Sequence, residues 1–179
     1  MTPLIVIGGA PGTGKTTITR LLHAHFQSVM LDFGWLRQFH LDPEWRKASP
    51  VEEDMAFENL LFILRNYLRH GYTRILLNDL QDQRIQAIPQ LFAPDEYMIV
   101  TLVVRDEAVL THRVLDPDRD SGYRDFRAAI AWNQRVLKRA RLPNEYLLDN
   151  TDLAPDAASQ RILDLIVRHT PPVFGETRT

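Results

Sequence analysis

Leu4-Ile5-Val6-Ile7-Gly8-Gly9-Ala10-Pro11-Gly12-Thr13-Gly14-Lys15-Thr16-Thr17 decides the fold of this chain. Four apolar residues in unbroken succession read as a strand buried on both faces. The glycines that follow let the backbone curl so that successive N–H groups point inward. From Thr16 to Phe26, Ile18, Leu21, Leu22 and Phe26 recur at helical spacing. Gly9 to Thr16 fits the pattern G-x-x-x-x-G-K-[ST] at each fixed position. Strand, glycine loop and helix N-terminus together make a cradle for an anion, and the helix dipole adds its positive end. A glycine turn with a chance lysine is the plainer reading; the strand before it and the amphipathic helix after it argue against that.

Working outward, short apolar runs alternate with helical patterns. Val29–Leu31 reads as a strand ending at Asp32, and residues 33–50, with two prolines and two tryptophans, read as irregular. Val51 to His70 reads as a helix, with Glu52, Glu53 and Asp54 in its first turn, Gly71 at its end, and Met55, Leu60, Leu61, Leu64 and Leu68 on its apolar face. Ile75–Leu77 is a third strand, ending at Asn78-Asp79. A short helix around Ile85–Phe92 is expected to break at Pro89. Tyr97–Val104 is the longest apolar run and the clearest strand. Helices over Asp106–Leu115, Phe126–Arg141 and Pro155–His169 and a strand over Tyr146–Leu148 complete the order, with a polar loop over Asp116–Arg124. The alternation predicts an α/β fold with a five-stranded parallel sheet covered on both sides, a three-layer sandwich. In such sheets ligands bind beyond the carboxyl ends of the strands. Gly8-Gly9, Asp32 and Asp79 stand at those ends.

The 179 residues suit one domain, expected over 1–170, followed by a loose tail from 171. The mix is 45% apolar and 25% charged, with a net charge of −2, which gives no overall basic field for nucleic acid or an anionic membrane. The absence of cysteine excludes disulfides, thiolate catalysis and cysteine-bound metals. The six histidines show no metal spacing. No apolar run approaches the roughly 20 residues that span a bilayer, and the opening residues lack a signal-peptide pattern, so a soluble, cytoplasmic protein is expected.

With these motifs in place, the sequence resembles the P-loop nucleoside-triphosphate hydrolase superfamily. Within it, the chain resembles the small kinases: nucleoside monophosphate, shikimate and gluconate kinases and chloramphenicol phosphotransferase-like proteins. The resemblance rests on the Walker A run Gly9–Thr16, on Asp32 after the second strand, and on an arginine-bearing segment late in the chain. It implies a mobile lid over residues 113–127 and transfer of the ATP γ-phosphate, with Mg²⁺, to a small-molecule acceptor. It implies nucleotide contacts from Gly9, Ala10, Pro11, Gly12, Thr13, Gly14, Lys15, Thr16 and Thr17, with Lys15 bridging the β- and γ-phosphates and Thr16 holding Mg²⁺.

The acidic residues leave alternatives open. Asp79 after Ile75-Leu76-Leu77-Asn78 resembles a Walker B carboxylate that holds Mg²⁺ or orients the acceptor; an acidic turn residue is the plainer reading. Asp32 faces the acceptor in the resembled kinases and serves there as base; Asp-Phe-Gly is also ordinary turn chemistry. Arg37 resembles an acceptor-side arginine, and Phe33, Trp35, Phe39 and Trp45 either stack on an acceptor or fill the core. Arg105 to Arg141 carries 9 basic and 6 acidic residues in an otherwise acidic chain. Arg119 and Arg113 are the expected lid arginines on the phosphates; a solvated charged helix pair is the alternative. Asn150 and Thr151 are expected beside the nucleobase, or as plain helix-capping chemistry. A nucleotide-binding switch or slow NTPase that acts through a protein partner is the rival to a kinase.

Overall fold

The computed structural model describes residues 2–38, 49–119 and 121–169. The expected tail and the aromatics Phe39 and Trp45 lie outside the described residues. Five strands, β1 (Leu4–Gly9), β2 (Met30–Asp32), β3 (Ile75–Asn78), β4 (Tyr97–Val103) and β5 (Glu145–Asp149), form one parallel sheet in the order β2-β3-β1-β4-β5. Among the described residues seven helices accompany them: α1 (Lys15–Phe26), α2 (Phe33–Arg37), α3 (Pro50–Arg69), α4 (Asp82–Leu91), α5 (Glu107–Leu115), α6 (Phe126–Lys138) and α7 (Pro155–His169).

The period-2 alternation of side chains sorts the central strand into two cores. Leu4 and Val6 face one way and pack with Ile75, Leu77, Tyr97 and Ile99 beneath α3 and α4. Ile5 and Ile7 face the other way and pack with Met98, Val100 and Leu102 beneath Ile18 and Leu22 of α1 and Ile162 and Ile166 of α7. A third, smaller cluster, Val104, Leu110, Val114 and Ala129, joins α5 to α6 at the carboxyl end of β4. Asn133 of α6 fastens it there: its Oδ1 accepts from the Val104 N–H (3.1 Å) and its Nδ2 donates to the Val104 carbonyl (2.6 Å).

Local chemistry explains where the elements differ from expectation. Residues 33–50 are not all irregular, because Asp32 caps a short helix: its Oδ1 accepts from the Gly34 N–H at 2.9 Å. α3 starts one residue early, at Pro50, behind a complete capping box between Ser49 and Glu52. Its buried face is Ala56, Phe57, Leu60 and Leu64, while Met55 lies outside it. Pro89 does not break α4, which runs to Leu91; the missing N–H falls in the last turn, where few bonds remain to be lost. α6 ends at Lys138, before Arg139, because Arg139 turns away to a buried carboxylate.

That carboxylate belongs to Glu145, whose side chain is 0% exposed. Arg139 donates to both of its oxygens at 2.7 Å, Thr101 Oγ1 donates to Oε1 at 2.6 Å, and the Leu142 N–H donates to Oε2 at 2.9 Å. Arg139 also reaches Asp82 at 3.1 Å, so one guanidinium ties α4, α6 and β5 together. These donors hold the Glu145 carboxyl below the usual glutamate range against the opposing effect of burial. A folded-state value below the unfolded one stabilises above the unfolded value and is lost as pH falls through the folded one. Glu145→Gln should therefore cost about 3 kcal/mol near neutral pH, the scale for breaking one side of a buried pair. In denaturant unfolding, the gap between wild type and variant should close as the medium is acidified below the ordinary glutamate range.

Candidate functional site

The loop between β1 and α1 is shaped by three glycines in the left-handed half of backbone space: Gly9 at φ 135°, Gly12 at 86° and Gly14 at 97°. At Gly9 the constraint is also steric, since a Cβ would lie 2.5 Å from the Leu102 carbonyl oxygen of β4. Ala10 is buried, Pro11 is partly exposed, and the hydroxyl residues Thr16 and Thr17 stand exposed on the first turn of α1. Thr13 is buried, and its Oγ1 donates to the Ala10 carbonyl at 2.9 Å. Lys15 Nζ folds back onto the same carbonyl at 3.1 Å. One of its three protons is thus spoken for. Burial and the neighbouring Arg119 charge push the ammonium pKa below the ordinary lysine value, against the opposing pull of Asp79 and Asp32. An anion in the loop would reverse that depression.

The segment after β5 is docked into this loop from the side. Asn150 Nδ2 donates to the Thr13 carbonyl at 2.8 Å, and a Cβ on Gly14 would sit 2.9 Å from that nitrogen. Asn150 is in turn held by α5. Arg113 Nη1 donates to the Asn150 carbonyl (2.8 Å) and Nη2 to the Thr151 carbonyl (2.9 Å). Arg113 therefore departs from the expected phosphate contact: its guanidinium grips the backbone beside the loop, because two unpaired carbonyls lie within reach of its fork. Thr151 Oγ1 donates to Asp149 Oδ1 and accepts from the Arg105 N–H, 2.6 and 2.8 Å. Arg105 and Asp149 pair at 2.9 Å on the wall of an open cleft that Thr151 also lines.

Asp32 and Asp79 end neighbouring strands on the edge that carries the glycine loop. Asp32 accepts from the Gly34 N–H through Oδ1 and from Asn78 Nδ2 through Oδ2 (3.1 Å). Burial and the Asp79 charge raise its pKa, while the two hydrogen bonds and Lys15 restrain the rise. Asn78 was legible only as a polar break in an apolar strand; it is fully buried and paired in register with Asp32. Asp79 adopts φ 63°, a left-handed conformation unusual for a residue with a side chain. Loss of water around it raises its pKa, and Lys15 and Arg37 oppose the rise. Lys15, Asp32 and Asp79 thus form one electrostatic cluster.

The span expected as a lid is the α5–α6 connection. Arg119 Nη1 donates to the carbonyls of Val114 (3.0 Å) and Tyr123 (3.3 Å), and its charge bears on Lys15. Arg124 donates to the Ser121 and Tyr123 carbonyls. Burial and the charge of Arg124 lower the Arg119 pKa, while Asp116 opposes them. Arg37 pairs with Glu53 of α3 at 2.5 Å. Phe33 is a core residue, whereas Trp35 is 51% exposed.

Among the described residues, no group of three or more metal-ligating side chains is preassembled. Thr16 and Asp79 supply hard oxygen donors of the kind Mg²⁺ takes one or two at a time, beside its waters and substrate phosphates. The residues present fit such an ion. Among the described residues, no helix is long and apolar enough to cross a membrane.

No protein-family model matches the chain. A uridine kinase of Anoxybacillus flavithermus is 36% identical over 67 residues, covering 34% of this chain; the matched part spans about a third (32%) of that enzyme. The fold is shared across nearly the whole length with solved kinases. A sugar kinase from Janibacter superposes with a TM-score of 0.69 at 15% identity, over 95% of this chain and 97% of that one. Shikimate kinase of Bacteroides thetaiotaomicron gives 0.65 at 14% identity, covering 92% and 98%. Thymidylate kinase of Candida albicans gives 0.61 at 15%, covering 93% and 92%. The chain has the α/β fold of the P-loop kinases.

The place of Arg113 can be checked without any ligand. Arg113→Ala strands two carbonyls beside the loop. It should lower the unfolding free energy of the nucleotide-free protein by roughly 2–3 kcal/mol, the range for charge-assisted hydrogen bonds. A side chain held ready only for phosphate would leave that stability unchanged.

Proposed function

We propose that the chain is a P-loop kinase that transfers the γ-phosphoryl group of ATP to a hydroxyl group of a small molecule. The observation that carries the reading is the convergence of Lys15, Asp32 and Asp79 at the sheet edge beside a glycine loop whose backbone is free to ring an anion. Hydrolysis alone would not call for a second carboxylate on the acceptor side, restrained toward its ionised form by two donors.

In this reading the N–H groups of residues 9–16 and the start of α1 hold the β- and γ-phosphates. Lys15 leaves the Ala10 carbonyl for the bridging region, and its ammonium balances charge that develops there. Mg²⁺, held through Thr16 and Asp79, would supply charge neutralisation across the β- and γ-oxygens. Asp32 accepts the proton of the acceptor hydroxyl as its oxygen forms the new bond to the γ-phosphorus. The bond from that phosphorus to the β–γ bridging oxygen breaks, and ADP leaves with the electron pair. Arg119 moves from the Val114 carbonyl toward the transferred group, while Asn150 keeps the Thr13 peptide in place. Thr151 lies beside the nucleobase. ATP is the donor, and the acceptor is a metabolite or drug-like alcohol.

Two experiments test this. Incubation with Mg·ATP and a panel of alcohols, nucleosides and nucleotides should yield a product heavier by one phosphoryl group, seen by mass spectrometry. Lys15→Ala should lower turnover by at least roughly 10²–10³-fold, and Asp32→Asn by roughly 10²–10⁴-fold with Mg·ATP binding nearly unchanged. Phosphate release without any phosphorylated acceptor would instead identify a slow NTPase or switch.

The Asn78 contact adds a sign. Removing a donor from Asp32 disfavours its ionised form, so its pKa rises. In Asn78→Leu, the acid limb of the pH–rate profile should move to higher pH, with the alkaline side unchanged. An unmoved limb would remove Asp32 as the titrating base.

A further inference from the structure

The end of the sheet opposite the glycine loop carries a second crevice. It opens at the amino ends of β2 and β3, between the segment that follows α1 and the segment that follows α3. Its volume is about 740 Å³, the size of a small organic ligand rather than of a single ion. Ser28, His70, Tyr72 and Arg74 line it beside Phe26 and Val29. Among the described residues no carboxylate lines it.

Arg74 stands apart from the other arginines. Six of the described arginines are part-buried, and five of these hold an oxygen. Arg37, Arg84 and Arg139 each hold a carboxylate, while Arg113 and Arg119 hold backbone carbonyls. The Arg74 guanidinium instead lies over the Phe26 ring, 4.9 Å from its centroid. Contact with a ring gives no oxygen to its five N–H donors. Its buried Nε has no hydrogen-bond partner among the described residues, and neither has the buried Ser28 Oγ on the neighbouring segment. Buried polar atoms without a partner are rare in folded proteins, and each calls for a cause. Arg74 also adopts φ 56°, a left-handed conformation four residues beyond the C-cap of α3 and so no part of that helix end. Strain of that kind persists where the surroundings hold a side chain in a required place.

We propose that this crevice is a second ligand site, which takes a small organic anion, a phosphomonoester or a carboxylate, on the Arg74 fork and the Ser28 hydroxyl. The site lies at the far end of the sheet from the glycine loop and does not rest on the kinase reading. Its chemistry selects the sign of the ligand. A guanidinium without a carboxylate, in a crevice without acidic side chains, repels a cation and favours an oxyanion. The carboxyl ends of α1 and α3 flank the crevice and bring partial negative charge, which opposes an anion. Two charge-assisted hydrogen bonds working against that charge place the dissociation constant on the order of 1 mM. Tyr72, exposed at the rim, offers ring surface to the body of the ligand.

The test is a titration of the isotope-labelled full chain, followed by amide chemical shifts. The probes are inorganic phosphate, phenyl phosphate and benzoate, with benzyl alcohol as the uncharged control. At least one of the organic anions should shift the amides of residues 27–29 and 71–74 with a midpoint on the order of 1 mM, and benzyl alcohol should not. Amides of residues 9–16 report phosphate held at the glycine loop in the same spectra, so the two sites are read apart. Saturation by phenyl phosphate alone assigns the phosphoryl group, and by benzoate alone the carboxylate. Inorganic phosphate acting as well as phenyl phosphate assigns recognition to the anion without its ring. Arg74→Met keeps a stem against Phe26 and removes the fork, so the midpoint should rise by roughly tenfold or more, the scale of one lost charge-assisted hydrogen bond. Ser28→Ala should raise it by roughly fivefold, the scale of one neutral hydrogen bond, and carries the test should Arg74→Met unfold. Shifts that are absent from residues 27–29 and 71–74, equal with benzyl alcohol, or unchanged in the folded variants overturn the proposal. Either result leaves the kinase reading where it stands.

Discussion

β1 is the constraint on which everything else hangs. It is bonded to β3 on one side and β4 on the other, and its six residues are all buried. A strand in that position cannot shift register by one residue without exchanging Leu4 and Val6 for Ile5 and Ile7 between two separately packed cores. Its carboxyl end is therefore fixed, and the glycine loop must emerge between β3 and β4. Parallel pairing then brings the ends of β2 and β3 to the same edge, and with them Asp32, Asn78 and Asp79. The site is gathered by sheet topology before any polar contact within it forms.

The polar contacts that do form make the loop a braced object. Arg113 holds the segment after β5, Asn150 of that segment holds the Thr13 carbonyl, and Thr13 and Lys15 close on Ala10. Each contact satisfies a backbone group that the left-handed glycines leave outside regular structure. The bracing side chains meet the loop at its carbonyls; of its N–H groups, that of Thr13 turns inward to the Ala10 carbonyl at 3.3 Å. A loop built in this way can be rigid and still present donors to an anion, which is what preorganised electrostatic binding requires.

Elements with strong periodicity were legible in the sequence: β1, α1, α3, β4 and α7 stand where apolar spacing put them, α7 to the residue. The glycine loop and the alignment of Asp32 and Asp79 on one edge were legible too, since both follow from pattern and parallel topology. What the sequence concealed depends on long-range partners. Arg113 was one arginine among many; only the fold brings it to the Asn150 and Thr151 carbonyls. Asn78 looked like an interruption of a strand, and its role at Asp32 follows from a register between segments 46 residues apart. Pro89 was misjudged because its effect depends on the distance to the helix end, not on its presence.

Charge distribution carries the last step. A net charge of −2 describes the site poorly, because at the sheet edge the charges of Arg119, Asp32 and Asp79 all bear on Lys15. Burial lowers the Lys15 pKa and raises that of Asp32, and the neighbouring like charges, Arg119 for Lys15 and Asp79 for Asp32, push each further the same way. Lys15 and the two carboxylates attract one another, so each partly relieves the other. A polyanion on the cationic side would relieve Lys15 and Arg119 together. It would also weaken the pull that Lys15 exerts on the two carboxylates, raising their affinity for a proton or a divalent cation. Under the kinase reading proposed above, a nucleotide held by the loop would thus be felt at both carboxylates through electrostatics alone.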